Sequence, residues 1–273
     1  MIDEYVTYLR SIRGFSENTI KAYTTDIREF CRFMKSIDEK ARWSNISLDD
    51  IDMYVKYHAR NGQKPSTTNR KIASISSIFN YMIRQGYLEL NPCKYESRRK
   101  VGDKLPNTIP ASDLKAAYEN SKGNLKAMIG LLTYTGIRLQ EMMNLTYKDI
   151  NDRDNQLIIH GKGSKDRVVY CHPDIINLLL QNRKTICDQG KIFYGTQWDI
   201  RHQIWLTLKQ YSNAQQLSPH AIRHTVATNL AKHGTECTII QRLLGHKDIR
   251  TTQKYIDMTQ LPVMEAQAAH AII

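Results

Sequence analysis

A chain of 273 residues with a 41% hydrophobic fraction is long and apolar enough for one large domain or two ordinary ones, each with its own core. No apolar run reaches the roughly 18 residues that a membrane-spanning helix needs, and the opening MIDEYVTYLR lacks the apolar segment of a secretory signal, so a cytoplasmic protein with no membrane partner is expected. The net charge of +12 points to a polyanionic partner, usually nucleic acid, against the plainer reading of a merely basic globular protein.

The positive excess is spread along the chain: residues 1–100 hold 18 basic and 12 acidic side chains, and the remainder 21 and 15. A single basic tail would have concentrated it, so a grip through more than one domain is expected. Cys31, Cys93, Cys171, Cys187 and Cys237 are odd in number, widely spaced and without a C-x-x-C pair. This argues against a disulfide framework and a zinc ribbon. Cys31 and Cys237 fall within apolar helical patterns and are expected in the core.

The first third reads as helical. A short helix over residues 2–10 precedes one that Ser16 can cap, running to about Lys35 with Ile20, Tyr23, Ile27, Phe30 and Met34 three and four apart. Ser47 and Asp50 form a capping-box pattern ahead of Ile51, Tyr54 and Val55. Ser66 can open a further helix with the stripe Ile72, Ile75, Phe79 and Met82, closed by Gly86. Four short helices predict a small domain over residues 1–93. Residues 94–110 carry Arg98-Arg99-Lys100, Lys104, Pro106 and Pro110 without helical periodicity, and read as a basic linker.

Residues 111–273 are mixed. An apolar helix over 124–134 breaks at Gly136. Asp154 to His160 and Val168 to Cys171 are β-prone, and GKGSKDR between them reads as the turn of a hairpin. Amphipathic helices are expected over Asp174 to Asp188 and Asp199 to Tyr211. Ser218-Pro219 is an N-cap followed by proline at the first helical position, opening a helix towards Gly234, with further helices over 236–244 and 249–258. The fold class expected is mostly α with a small β-sheet.

Four separated blocks carry the chemistry: T-G-I-R-L-Q-E with Arg138 and Glu141; G-K-G-S-K-D-R with Lys162; H-A-I-R-H with His220, Arg223 and His224; and L-L-G-H-K-D-I-R-T-T-Q-K-Y with His246 and Tyr255. Each alone has a bland explanation, as a surface arginine, a solvated turn or one tyrosine among 15. Together they suit phosphoryl transfer. Two arginines present planar forks of donors to the non-bridging oxygens where charge builds. A hydroxyl nucleophile needs a histidine to take its proton, and a leaving alkoxide needs a donor such as a lysine. His220 and His224, four apart, could ligate zinc, but no third-ligand spacing or acidic base accompanies them. No acidic cluster for a two-metal mechanism is evident, so no metal and no cofactor are expected.

In order and near spacing, these blocks resemble the catalytic domain of the tyrosine recombinases of the phage integrase family, in the style of its Xer-like and simple integrase branch. The stretch F-S-E-N-T-I-K-A-Y-T-T-D-I-R-E-F resembles the family's helical core-binding domain, and T-N-R-K-I-A-S-I-S-S-I-F-N-Y-M its DNA-reading helix. The resemblance covers almost the whole chain. It implies site-specific cleavage and rejoining of DNA through a 3′-phosphotyrosine, used in integration, excision, inversion or dimer resolution. Arg138 and Arg223 would clamp the phosphate, Lys162 protonate the leaving oxygen, His220 assist proton transfer, His246 hydrogen-bond the phosphate, and Tyr255 attack. Glu141 would support the arginine or lysine network, and His224 would pack its helix. Lys165 and Arg167 compete with Lys162, and the family pattern favours the lysine between the glycines. Lys64, Thr68, Asn69 and Arg70 are candidates for DNA contact, weighed equally against a solvated polar face.

The resemblance further implies a duplex with a short inverted-repeat site and a tetramer on two duplexes, with an accessory protein or paralogue as a possible helper. It begins near residue 1, so no arm-binding domain is expected ahead of it. The apolar tail after Tyr255 would pack on a neighbouring protomer, against the alternative that it folds back on its own domain. Competing readings are a DNA-binding protein of this fold without catalysis and a type IB topoisomerase-like enzyme, with a metal-dependent nuclease a poor fourth. All six reactive positions are filled, which speaks against the reading without catalysis.

Overall fold

The computed structural model describes residues 1–94, 106–161, 166–181 and 190–257. The chain divides into two compact units, Met1–Asp103 and Lys104–Ile273. The division falls inside the stretch read as a linker.

The first unit holds four helices: α1 (Ile2–Ser11), α2 (Glu17–Ile37), α3 (Leu48–Arg60) and α4 (Pro65–Arg84), with short 3-10 turns at Trp43–Asn45 and Pro92–Lys94. Their starts follow side-chain chemistry. Ser16 Oγ accepts from Thr19 N, and Ser47 and Asp50 cap each other's backbone N–H groups. Helix α4 opens at Pro65, one residue before the predicted Ser66, because proline's fixed φ and missing N–H suit the first helical position. Tyr5, Ile27, Phe30, Tyr54, Ile75 and Phe79 are fully buried in its core. Polar ties join α2 to α4. Buried Asp26 pairs with Arg70 and accepts from Ser74 Oγ at 2.8 Å, while Lys71 Nζ reaches Glu29 Oε1 at 2.5 Å.

The second unit begins with α5 (Ala111–Glu119), α6 (Gly123–Thr135) and α7 (Leu139–Asn144). A 3-10 turn at Tyr147–Asp149 leads into an antiparallel sheet ordered β1 (Ile150–Asn151), β2 (Gln156–His160), β3 (Asp166–Tyr170). Helices α8 (Pro173–Leu180), α9 (Gln197–Tyr211), α10 (Pro219–Lys232), α11 (Cys237–Leu244) and α12 (Arg250–Asp257) follow. The hairpin register pairs Ile159 with Arg167 and His160 with Asp166. Leu157, Ile159, Arg167 and Val169 therefore turn inward, and Val168 and Tyr170 outward.

Several boundaries differ from expectation. Strand β2 starts two residues late, because Asn155 at φ 53° belongs to the preceding turn. Strand β3 starts two residues early, carrying Asp166 and Arg167 into the ladder. Strand β1 and helix α7 are too short, at two and six residues, to leave a periodic trace. Only the first half of the helix predicted over Asp174 to Asp188 falls among the described residues. Among the described cysteines, Cys93 and Cys171 are buried, whereas Cys31 and Cys237 are half-buried. Among the described residues, no helix is long and apolar enough to cross a membrane.

Candidate active site

The site is assembled where two helices end. Helix α6 stops at Gly136 and α11 at Gly245, both in the left-handed conformation at φ 63° and 66°. A Cβ on Gly136 would lie 2.8 Å from Leu244 Cδ2, so glycine also permits the close approach of the two ends. Carbonyls at a helix C-terminus lack intrahelical partners and carry the negative end of the dipole. Here they hold the arginines. Arg223, 3% exposed on α10, donates from Nη1 to Gly136 O at 2.8 Å and from Nη2 to Leu244 O at 2.7 Å. Arg138, capping α7, donates from Nη2 to Gly245 O at 2.9 Å. Burial, with the Arg138 charge beside it, pushes the Arg223 guanidinium down to about 9, so it stays cationic at neutral pH.

Glu141 fixes the remaining orientation. It accepts from Arg138 N and Nη1 at 2.9 and 2.8 Å, and from Arg167 Nη1 and Nη2 at 3.1 and 2.8 Å. Arg167 also donates from Nε to Leu243 O at 2.8 Å, tying β3 to the end of α11. Burial would raise the Glu141 carboxyl, but the bonds from Arg167 and Arg138 outweigh it and hold it at about 2. Three guanidiniums around one carboxylate leave the site positive and ready for an anion.

Tyr255 is 3% exposed on α12, and burial raises its phenol above the usual range, partly offset by Arg223. Its hydroxyl lies 2.5 Å from His224 Nδ1. Burial, followed by the charges of His220 and Arg223, lowers His224 to about 4. His224 is therefore neutral at pH 7 and can accept the phenolic hydrogen. The His246 ring stacks on Tyr255 with centroids 6.3 Å apart, and its Nδ1 meets Thr252 Oγ1 at 2.8 Å. Burial and then Arg223 lower His246 to about 4 as well. A Thr252 hydroxyl donating to Nδ1 leaves the ring hydrogen on Nε2, a neutral donor for an oxyanion. His220 sits edge-on to His224, with ring centroids 4.2 Å apart, and desolvation and the charges of Arg223 and Arg138 lower it too.

Direct contacts thus join Arg138 to Glu141 and Tyr255 to His224 and His246, with His220 against His224, while Arg223 shares the Leu244 carbonyl with Arg138 and couples to Tyr255 by charge. Lys162 and Lys165 lie outside the described residues. His224, expected to pack its helix, instead holds the Tyr255 hydroxyl, the contact that fixes where the phenolic hydrogen points. Two contributors escaped the sequence reading. Arg167 was weighed only as a rival to Lys162, although its alternation with buried Val169 signals an inward direction. Thr252, three residues before Tyr255, shares its helix face and is fully buried.

The four candidates for DNA contact separate. Lys64 is exposed at the N-cap of α4, and Asn69 lies on the open face of that helix, half-buried. Thr68 is fully buried, so it presents nothing to a partner from this position. Arg70 keeps solvent access but spends both terminal nitrogens on Asp26.

Comparison with known proteins agrees with this architecture. Residues 107–261 match the phage integrase family, and residues 2–86 match the phage integrase N-terminal SAM-like domain. A tyrosine recombinase of Thermosipho africanus is 31% identical, covering 97% of this chain and 98% of its own. Tyrosine recombinase XerD of Shewanella oneidensis is 28% identical, covering 99% and 96%. In fold, the chain is similar to XerH recombinase in a pre-cleavage complex with difH, at a TM-score of 0.73 and 19% identity over 98% of this chain and 83% of that one. It is equally similar to the Tn1549 transposon integrase bound to transposon right end DNA, at a TM-score of 0.74 and 18% identity over 100% and 99%. The chain belongs to the phage integrase family. Within that family it is a tyrosine recombinase, an enzyme of site-specific DNA recombination.

Proposed function

We propose that this recombinase cuts duplex DNA by attack of Tyr255 Oη on the scissile phosphate. The phenolic proton passes to an imidazole, the Tyr255 O–P bond forms, and the P–O5′ bond breaks. The leaving oxygen takes a proton from Lys162, and a 3′-phosphotyrosyl link remains. Attack by the 5′-hydroxyl of another strand reverses the steps and reseals the DNA. The link conserves the energy of the phosphodiester, so rejoining calls for no nucleotide. Arg138 and Arg223 hold the non-bridging oxygens, His246 donates to one of them, and Glu141 with Arg167 keeps Arg138 aimed.

The observation that carries this reading is the Tyr255 hydroxyl on His224 Nδ1 at 2.5 Å, beside guanidiniums already anchored by backbone. Nucleophile, proton acceptor and oxyanion donors are the parts that phosphoryl transfer needs. The helix pair of His220 and His224 offers two acceptors. His224 is the one in contact, so it takes the proton first, and His220 relays it.

The substrate is a duplex with a short inverted repeat, bound by both units, and four protomers bring two duplexes together. The tail expected to pack on a neighbouring protomer lies, over residues 258–273, outside the described residues. Covalent capture tests the chemistry. Wild type and Tyr255→Phe are expressed beside the source DNA, denatured, and the protein-linked DNA is sequenced. A wild-type adduct at one defined sequence, absent from Tyr255→Phe, is expected. Equal adducts from both proteins would overturn the assignment of the nucleophile.

A further inference from the structure

The open face of α4 carries Asn69, Ala73, Ser76, Asn80 and Arg84 at three- and four-residue spacing, and it lines a groove of about 580 Å³. Arg13, Arg84 and Lys94 set three cations around this groove, and among the described residues that line it none is a carboxylate. Such a groove suits the edge of a nucleic acid. What it can recognise depends on which ends of its polar groups face out.

That orientation is fixed from beneath by Asn91, which is 2% exposed. Its Oδ1 accepts from Cys93 N at 3.0 Å, and its Nδ2 donates to Ser76 O at 3.1 Å. A backbone N–H can only donate and a backbone carbonyl can only accept, so these two contacts settle which end of the Asn91 carboxamide is nitrogen. The same Nδ2 lies 2.9 Å from both Asn80 Oδ1 and Ser76 Oγ. An amide nitrogen has no acceptor capacity, so Asn80 Oδ1 and Ser76 Oγ face it as acceptors, its two hydrogens shared among these and Ser76 O. Asn80 therefore turns its oxygen inward and its amino group to the groove. Ser76 accepts from below and keeps its own hydrogen to donate.

An unconstrained asparagine reads adenine with both ends, accepting from N6 and donating to N7. Asn80 has no oxygen to offer. Its amino group complements an edge made of acceptors, which in the major groove is guanine with O6 and N7. The amino groups of adenine and cytosine would set donor against donor. We propose that Asn80, oriented by Asn91 and joined by Ser76, reads a guanine at one position in each arm of the recombination site. Asn91 is a positioning residue in this account. The inference rests on the reading of the chain as a DNA recombinase whose first unit meets the duplex.

Selection from a duplex library with a randomised arm, using the full chain, tests it. Wild type is expected to favour guanine at one position by about tenfold or more. Asn80→Asp keeps an oxygen on Asn91 and turns the other outward, so the same position should pass to cytosine, whose N4 donates. Overall affinity will fall with the added charge, so the readout is relative base preference. Asn91→Ala, folded by circular dichroism, should admit adenine there. Because Asn91 is buried and its replacement can unfold the unit, Asn80→Asp carries the test alone if necessary. Enrichment of a sequence by wild type, with base preferences unchanged in Asn80→Asp, overturns this inference and leaves the recombinase reading standing. No enrichment of any sequence by wild type overturns both.

Discussion

Tyr255 and His224 fix the starting protonation of the reaction. With His224 lowered to about 4 and Tyr255 raised by burial, the pair begins as phenol and neutral imidazole, and the proposed attack would move one proton between them. His224→Ala is expected to slow single-turnover cleavage by about 10²-fold or more, the usual contribution of a general base. His220→Ala should cost less, and a larger loss from His220→Ala would return the primary role to that residue. Glu141 tests a different quantity. Its replacement by alanine leaves Arg167, whose side chain is 13% exposed, without its counter-charge. Breaking a buried pair from one side costs about 3–5 kcal/mol, so urea unfolding should show a destabilisation of that size. Much of this chemistry is legible in the chain, since the arginines, histidines and tyrosine announce themselves by type and spacing. Which histidine meets the tyrosine is not legible. His220 and His224 are one turn apart on one face, and only the seating of α12 against α10 decides between them.

At the scale of elements, the capping residues were the readable part. Ser16, Ser47 and Ser218 each accept a backbone N–H where the sequence places a helix start. Gly136 and Gly245 mark stops that the packing then uses. Gly136→Ala would combine a left-handed φ with a Cβ 2.8 Å from Leu244 Cδ2, and a loss of about 1–3 kcal/mol is expected in thermal or urea unfolding. Because the movement falls on the carbonyl that holds Arg223, cleavage should drop further than stability alone explains. The hairpin was read correctly as a hairpin and wrongly at its edges. Strand ends depend on the partner strand, which supplies the hydrogen bonds that carry Asp166 and Arg167 into the ladder, and local propensity does not contain that partner. The burial of Thr68 has the same origin, since a threonine in a polar run gives no sign of the helix that will cover it.

For the whole molecule, acid is the expected weakness. The folded pKa values of His224 and His246 lie near 4, below the ordinary 6.5. Their contribution is present above about pH 6.5 and is lost as pH falls towards 4, because the unfolded chain takes protons that the native sites refuse. Glu141, held at about 2 against an ordinary 4.5, adds a second loss below about pH 4.5 in the same direction. The melting temperature should therefore decline from about pH 6.5 downward and steepen below about 4.5. A flat profile across both windows would show that these groups are not held as described. The net charge of +12 shared by both units should make duplex binding fall steeply with salt. Titration at several salt concentrations should give a steeper slope for the full chain than for a variant with Arg13, Arg84 and Lys94 replaced by glutamine.

The anchoring of Arg138 and Arg223 on helix-end carbonyls has an evolutionary consequence. A main-chain oxygen is present whatever side chain its residue carries, so Leu244 can drift to other apolar residues without releasing either guanidinium. Tolerance and fragility are thus separated along the chain. A saturation library scored for recombination should find Leu244 permissive among apolar residues, and the neighbouring Gly245, whose added Cβ would press on Arg167 at 2.9 Å, close to immutable. A site built this way can change its surroundings, and with them its target, while its reactive centre is inherited intact.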